Sequence, residues 1–348
     1  MRQLNYVATR KLEWFDVPRP WLDADDSALV CPYAVSTCDF DAAVIRGDAR
    51  LRGPVPLGHE GVAIVKEVGD HVARVRPGDH VIVPWKISCG TCIACERGFT
   101  AQCERIAPED AYGWGPTAEL RGGFLSDTVL VPFADHMLRP LPPGVDPLAA
   151  CGVADNISDA WRAVGPQLSA RPGGTVLIAG KFGAGSIGLY AAGIAVALGA
   201  GRVVYADSDA DRLQIAATLG AETFAVEGNA LNVPADALYD VTVEAAGDPT
   251  YLTALLERTG RAGACTSIAG MLYRTAPVPF PIHDMYRRSI EFRTGWAHTR
   301  AIMDEPLELI ASGRFDPRPV TTAVVSWDDA ATALTEPYIK LIVSRDPG

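Results

Sequence analysis

Cys89, Cys92, Cys95 and Cys103 follow one another as C-x2-C-x2-C-x7-C, four thiols within fifteen residues. Four thiolates at this spacing close a tetrahedron around one zinc ion at about 2.3 Å per bond and leave no coordination position open, the design of a structural site. An iron–sulfur cluster also takes four cysteines and is the chemical competitor. The other four of the eight cysteines are scattered at 31, 38, 151 and 265. A secreted disulfide scaffold would be short and would spread its cysteines more evenly, so the cluster points to metal ligands in a reducing, cytoplasmic setting.

A second chemical signature is Gly183-Ala184-Gly185-Ser186-Ile187-Gly188. The G-x-G-x-x-G pattern is weak by itself, and its context gives it meaning. An apolar, strand-like run at 175–180 precedes it, a helix-forming stretch at 186–198 follows, and Asp207 ends the next strand nineteen residues beyond Gly188. Glycines in such a turn let the backbone approach a pyrophosphate seated on the helix N-terminus, and the carboxylate accepts hydrogen bonds from a ribose diol. A third, dispersed signal is Gly58-His59-Glu60-Gly61, with Cys38-Asp39-Phe40-Asp41 about twenty residues upstream. Taken alone, a His beside a Glu is more often a surface or satisfied core residue.

Two textures of sequence must position these groups. Residues 1–150 hold short β-type runs, such as Val62-Ala63-Ile64-Val65 and His80-Val81-Ile82-Val83, broken by turn signals such as Arg76-Pro77-Gly78-Asp79 and Pro142-Pro143-Gly144. From about residue 172 strands at 175–180, 202–207, 239–245 and 262–269 alternate with helices at 186–198, 209–219 and 249–258. That alternation implies right-handed βαβ crossovers and a parallel, doubly wound sheet. Mixed texture returns after about residue 285, with a helix near 299–312 and a last strand near 339–344. At 348 residues the chain has material for two domains. Its 31 basic against 42 acidic residues give a net charge of −11 without a basic run, which disfavours nucleic acid and anionic membrane surfaces as partners. No charge-free apolar stretch reaches the ~20 residues of a membrane span, and the first residues lack a signal peptide's apolar core.

The His59-Glu60 segment running on to Gly69 and Val72, the four-cysteine lobe, the 183–188 turn with Asp207, and the Ile339-Lys340-Leu341-Ile342 ending fall in a familiar order along essentially the whole chain. In this order the sequence resembles the zinc-containing medium-chain dehydrogenase/reductase family, of the alcohol dehydrogenase type. The resemblance implies an α/β protein. An N-terminal partly open β-barrel (GroES-like) would form the catalytic domain over 1–150, completed by 285–348, and a Rossmann doubly wound parallel-sheet domain would span 151–284. It also implies a catalytic zinc on Cys38 and His59, with Glu60 as a carboxylate able to move onto the metal and Asp41 orienting His59. Asp155 and Cys151, four apart, are both candidates for the third ligand, and the family register to Ala163-Val164 favours Asp155. Ala63 departs from the glycine of the family signature.

By the same resemblance Trp85, Phe40 and the loop of Trp114 line the substrate pocket, and Lys340 lies near the coenzyme pyrophosphate. Phe40 stands where many members carry the hydroxyl that relays the alcohol proton, which leaves Ser36, Thr37 and Asp159 as nearby substitutes. The implied activity is hydride transfer between NAD and an alcohol or carbonyl, with two zinc ions per subunit, in a homo-oligomer (dimer or tetramer). NAD rather than NADP is expected because Asp207, Asp209 and Asp211 surround the single Arg212 where a 2′-phosphate would lie. Two alternatives stand beside this: reduction of an activated C=C or C=N bond on the same fold, since the relay hydroxyl is missing, and dinucleotide binding without turnover.

Overall fold

A nine-residue strand that is apolar at nearly every position, Ala28–Ser36, and a second with an apolar centre, Val62–Val65 within Glu60–Val68, give the first unit its central pair. The computed structural model describes residues 1–49, 51–108, 110–113, 121–181, 183–227, 231, 233, 237–270 and 277–347. One compact unit comprises Met1–Ser158, Ala297–Ser312 and Thr321–Gly348. Its strands are β1 (Arg2–Ala8), β2 (Lys11–Asp16), β3 (Ala28–Ser36), β4 (Val55–Pro56), β5 (Glu60–Val68), β6 (His80–Val83), β7 (Val129–Val131) and β8 (Arg139–Pro140). The second unit supplies β9 to β14, and β15 (Ala323–Ser326) and β16 (Leu341–Ser344) return to the first. The main sheet runs β15-β16-β3-β5-β6-β8, with β7 also on β3. A smaller sheet, β2-β1-β4, completes the partly open barrel. β3 is buried along almost its whole length because it has neighbours on every side. It tolerates Pro32, which lacks an N–H, because the β3–β5 register shifts between Pro32 and Ala34.

This register matters for function. Ser36 at the end of β3 is paired with Glu60 at the start of β5 and with Ile342 near the start of β16. Residues just outside those strand ends (Cys38, His59 and Lys340) are thereby brought together from positions up to three hundred residues apart. The helix at 39–46 starts at once after Cys38, whose backbone N–H donates to Asp41 Oδ2 at 3.0 Å, and stops at Gly47 in the left-handed region, φ 92°.

The second unit is Asp159–Trp296 with Gly313–Val320. Its strands are β9 (Thr175–Gly180), β10 (Arg202–Asp207), β11 (Glu222–Ala225), β12 (Tyr239–Ala245), β13 (Thr259–Ser267) and β14 (Glu291–Thr294). All run parallel in the order β11-β10-β9-β12-β13-β14, so the winding reverses between β9 and β12, where doubly wound sheets place their ligands. The alternating elements read from sequence are present, and β14 extends the sheet beyond residue 284. The helix expected over 299–312 is instead two, Thr299–Ile302 and Asp304–Ala311. Pro306 explains the break: a single helix would drive its ring into the carbonyl of Ile302 four residues earlier. Among the described residues no helix is long and apolar enough to cross a membrane.

Candidate active site

Cys38, His59 and Asp155 converge, their ligand atoms all within 4.8 Å of one another and all three residues buried. Cys38 caps the helix at 39–46 and His59 immediately precedes β5. Asp155 sits between a 3₁₀ turn, Cys151–Ala154, and the helix Asn156–Ser169. The turn is fixed on two sides: Trp85 N–H donates to the Ala154 carbonyl at 3.1 Å, and Asn156 N–H donates to Glu60 Oε2 at 3.0 Å. His59 Nε2 lies 3.3 Å from Asp155 Oδ2. Its Nδ1 is buried without a hydrogen bond, 3.6 Å from Asp41 Oδ1, so Asp41 is beside the ring but not hydrogen-bonded to it, and its other oxygen is spent on the Cys38 backbone.

The electrostatics suit a cation. Burial, reinforced by Asp155, Asp41, Glu60 and Asp39, pushes the Cys38 thiol well above its ordinary range. Burial opposes charge on His59, but Asp41, Asp155 and Glu60 outweigh it and push the ring up to about 9. Both shifts report negative groups crowded in a dry place, which a divalent ion neutralises. The donor set of one sulfur, one imidazole nitrogen and one carboxylate oxygen fits a zinc ion with a fourth position open. Cys151, the other candidate ligand, lies outside this group. Its thiol donates to the Leu148 carbonyl at 3.2 Å, and burial pushes it up to about 12.

Glu60 is fully buried and ion-paired with Lys340, whose ammonium also donates to Asn156 Oδ1 at 2.9 Å and to the Thr37 carbonyl. Burial pushes Glu60 up to about 7 against the pull of that ammonium. This corrects the expectation for Lys340. Because it directly precedes β16, its side chain, 1% exposed, is turned into the first unit and held by Glu60 rather than offered to a pyrophosphate. Sequence reasoning missed Asn156. A polar residue opening a helix looks like ordinary capping, and only its adjacency to Asp155 could have drawn notice.

The four cysteines of the lobe also meet, with ligand atoms within 4.8 Å and Cys92 and Cys103 sulfurs 4.0 Å apart. A tetrahedral zinc with 2.3 Å bonds needs sulfurs about 3.8 Å apart. Backbone N–H groups of Thr91, Glu104 and Cys89 point at the sulfurs of Cys89, Cys92 and Cys103, each at 3.4 Å. Burial would raise the Cys89 thiol, but the two bonds from Thr91 outweigh it and bring it down to about 6, whereas burial pushes Cys95 up to about 12 and Cys103 upward as well.

Near the lobe and the triad, Trp85 is buried with its indole N–H on Thr299 Oγ1 at 3.1 Å. Phe40, half-buried, is the second residue of the helix that Cys38 caps. Trp114 lies outside the described residues. Of the proton-relay substitutes, the Thr37 hydroxyl is bonded to the Leu341 backbone in both directions, and Asp159 is ion-paired with Arg162.

In the second unit Gly185, at φ 80°, caps the helix Ser186–Ala197. A side chain there would strike Arg212, since a Cβ would lie 2.5 Å from Arg212 Cδ, and the turn needs glycine for both reasons. Gly183 is likewise left-handed, while Ser186, Ile187 and Gly188 form the first turn of that helix, whose free N–H groups suit an anion. Asp207 ends β10 fully buried, and all its acceptor positions are taken. Oδ1 receives Asp209 N–H at 3.0 Å and Arg212 Nη2 at 2.7 Å; Oδ2 receives Tyr205 Oη at 2.9 Å and Arg212 Nε at 2.8 Å. The carboxylate expected to be free for a ribose is thus clamped by the arginine five residues on, which reaches back from the next helix.

Residues 24–143 match the model of the alcohol dehydrogenase GroES-like domain, and residues 186–312 that of the zinc-binding dehydrogenase domain. A Mycobacterium tuberculosis protein named "Probable zinc-binding alcohol dehydrogenase" is 30% identical over 317 residues, covering 90% of this chain and 79% of its own length. The zinc-type alcohol dehydrogenase-like protein AdhB of Bacillus subtilis is 26% identical over 362 residues, 95% of this chain and 94% of its own. The solved structure of alcohol dehydrogenase TADH from Thermus sp. ATN1 superposes with a TM-score of 0.87 at 29% identity, over 99% of both chains. Fold and site together define a zinc-dependent oxidoreductase that acts on alcohols. The chain belongs to the zinc-containing medium-chain dehydrogenase/reductase family, alcohol dehydrogenase type.

Proposed function

We propose that this chain is an NAD-dependent alcohol dehydrogenase carrying two zinc ions. One would be held catalytically by Cys38, His59 and Asp155, the other structurally by Cys89, Cys92, Cys95 and Cys103. The observation that carries the proposal is the convergence of three unlike, buried donors from three separate segments. Bound there, zinc supplies a Lewis acid for the substrate oxygen. The chain's own residues do the rest. Asp41 and Asn156 keep the donors in place, Glu60 waits beside them on Lys340, and Phe40 and Trp85 present apolar surface to a small substrate. Phe40 carries no proton, and the Thr37 and Asp159 side chains are already engaged, which leaves water or the buried Ser36 hydroxyl to take an alcohol's proton.

Preference for NAD rests on the end of β10. A 2′-phosphate would meet the carboxylates of Asp207 and Asp209, and Arg212, already bonded to Asp207 through Nε and Nη2, would offer it only its remaining N–H groups, with Nη1 itself 3.8 Å from Asp209. Ser186, Ile187 and the glycines at 183, 185 and 188 would receive the pyrophosphate. Elemental analysis should find two zinc ions per chain, and kcat/KM on a panel of short alcohols and aldehydes should be at least tenfold higher with NAD than with NADP. One zinc, or equal use of both cofactors, overturns the corresponding part. Turnover of enones or imines but of no alcohol would favour the alternative in which Phe40 marks a C=C or C=N reductase.

A further inference from the structure

Asn156 touches more of the metal site than any residue assigned to it. Its side chain, fully buried, donates from Nδ2 to Cys38 Sγ at 3.2 Å and to Asp155 Oδ2 at 3.0 Å. Its Oδ1 accepts from Lys340 Nζ at 2.9 Å, and its backbone N–H donates to Glu60 Oε2 at 3.0 Å. The orientation of the amide follows from chemistry. An ammonium has three donors and no acceptor, so the atom facing Lys340 must be the oxygen, and the NH₂ must face the sulfur and the carboxylate. Both amide hydrogens are thereby committed to two of the three candidate zinc ligands.

We propose that Asn156 is a positioning residue of the catalytic metal site, locked in place by Lys340 and setting both the spacing and the donor strength of Cys38 and Asp155. An N–H bonded to a thiolate draws electron density from the sulfur, so the metal that shares this sulfur is left a stronger electrophile. Bonds to two ligands at once also hold them at metal-binding separation before the ion arrives, which favours binding. The Glu60–Lys340 pair, which has no ligand role in this arrangement, acts through Asn156 as the clamp on its amide. This inference rests on the assignment of a metal to Cys38, His59 and Asp155.

The test replaces the catalytic-site metal with Co²⁺ in the full-length protein and follows two readouts: Co²⁺ affinity by chelator competition, and the energy of the thiolate-to-cobalt charge-transfer band. Asn156→Ala should weaken affinity about 10–100-fold, the usual scale for losing a group that supports a ligand. The band should move to lower energy, because the sulfur is no longer stabilised by an N–H. Zinc in the four-cysteine lobe should stay bound and serves as the internal control for folding. Asn156→Leu is the second variant: it keeps the approximate shape, removes both donors without adding a charge beside the metal, and should lose at least as much affinity while remaining folded. Affinity within twofold of wild type and an unmoved band in either folded variant overturns the proposal. So does loss of metal from both sites together, which would mark a general structural role. Wild-type protein that binds no Co²⁺ beyond the lobe would instead overturn the ligand assignment, a distinguishable failure.

Discussion

The two candidate metal centres of the first unit are built in opposite ways. The four-cysteine lobe lies within residues 89–103, and the N–H groups that cradle its sulfurs come from Cys89, Thr91 and Glu104, members or neighbours of the same loop. The Cys38–His59–Asp155 site draws its candidate ligands from three segments and its supports from a fourth, Lys340, through the register of β3, β5 and β16. A local site carries its own geometry and needs only its metal to close. A dispersed site inherits its geometry from a sheet that must already be folded, so metal there adds function more than fold. Structural zinc sites contribute folding free energy outright, on the scale of 10–16 kcal/mol in isolated zinc-finger peptides.

The largest expected effect follows from that contrast. Cys92→Ala should release the lobe zinc and lower the melting temperature by about 10 °C or more, since a 1 kcal/mol loss shifts a chain of this size by only a few degrees. Asp155→Ala should release the other zinc and abolish alcohol turnover while leaving the melting temperature within a few degrees of wild type. Metal content and thermal unfolding, measured on both variants in parallel, decide it. If Asp155→Ala melts as early as Cys92→Ala, the dispersed site is as much a structural element as the lobe, and the contrast collapses.

A smaller effect probes the dispersed site's own scaffold. Lys340 and Glu60 are 1% and 0% exposed at their side chains. Removing one partner of a buried pair leaves an uncompensated charge and costs roughly 3–5 kcal/mol, whereas removing both is often close to neutral. Lys340→Met should therefore destabilise by about that amount in urea unfolding, and the double variant with Glu60→Gln should recover a good part of the loss. An additive double variant would mean that the two groups do not depend on each other.

The same distinction between local and dispersed accounts for how much could be read from the residues alone. The cysteine spacing, the glycine turn and the βαβ alternation are local patterns, and the elements they imply are present. The ligand trio needed a family resemblance, because nothing in the spacing of Cys38, His59 and Asp155 says that β3 and β5 end side by side. The Lys340 contact was out of reach for the same reason: its partner Glu60 is 280 residues away. The Asp207–Arg212 clamp is only five residues long, yet it too escaped, because whether an arginine at that distance points back to the strand depends on how the helix Ala210–Thr218 packs on β10. The broken helix at Met303 was legible in principle through Pro306, whose effect falls four residues upstream of itself.

The smallest expected effect tests whether the lobe is as self-contained as its sequence suggests. His136 Nε2 lies 2.9 Å from the hydroxyl of Ser88, the residue before the first lobe cysteine, and its ring packs where a side chain on Gly90 would have to go. Burial, with Arg300 and Arg74 nearby, pulls His136 down to about 4 from its ordinary value of 6.5. A histidine kept neutral in the fold but free to protonate when unfolded binds fewer protons in the native state between those values. Stability is then fully present above about pH 6.5 and falls as pH is lowered towards 4. The ring is only partly buried, so solvent screening keeps the loss on the order of 1 kcal/mol. His136→Gln keeps a neutral polar side chain beside Ser88 without a titrating group, and should flatten this part of the profile when the urea midpoint is measured from pH 7 to pH 4.5. Zinc release from the lobe should shift in the same direction. If the variant and the wild type lose stability in parallel over that range, His136 does not brace the lobe, and the lobe depends on nothing beyond its own loop and its metal.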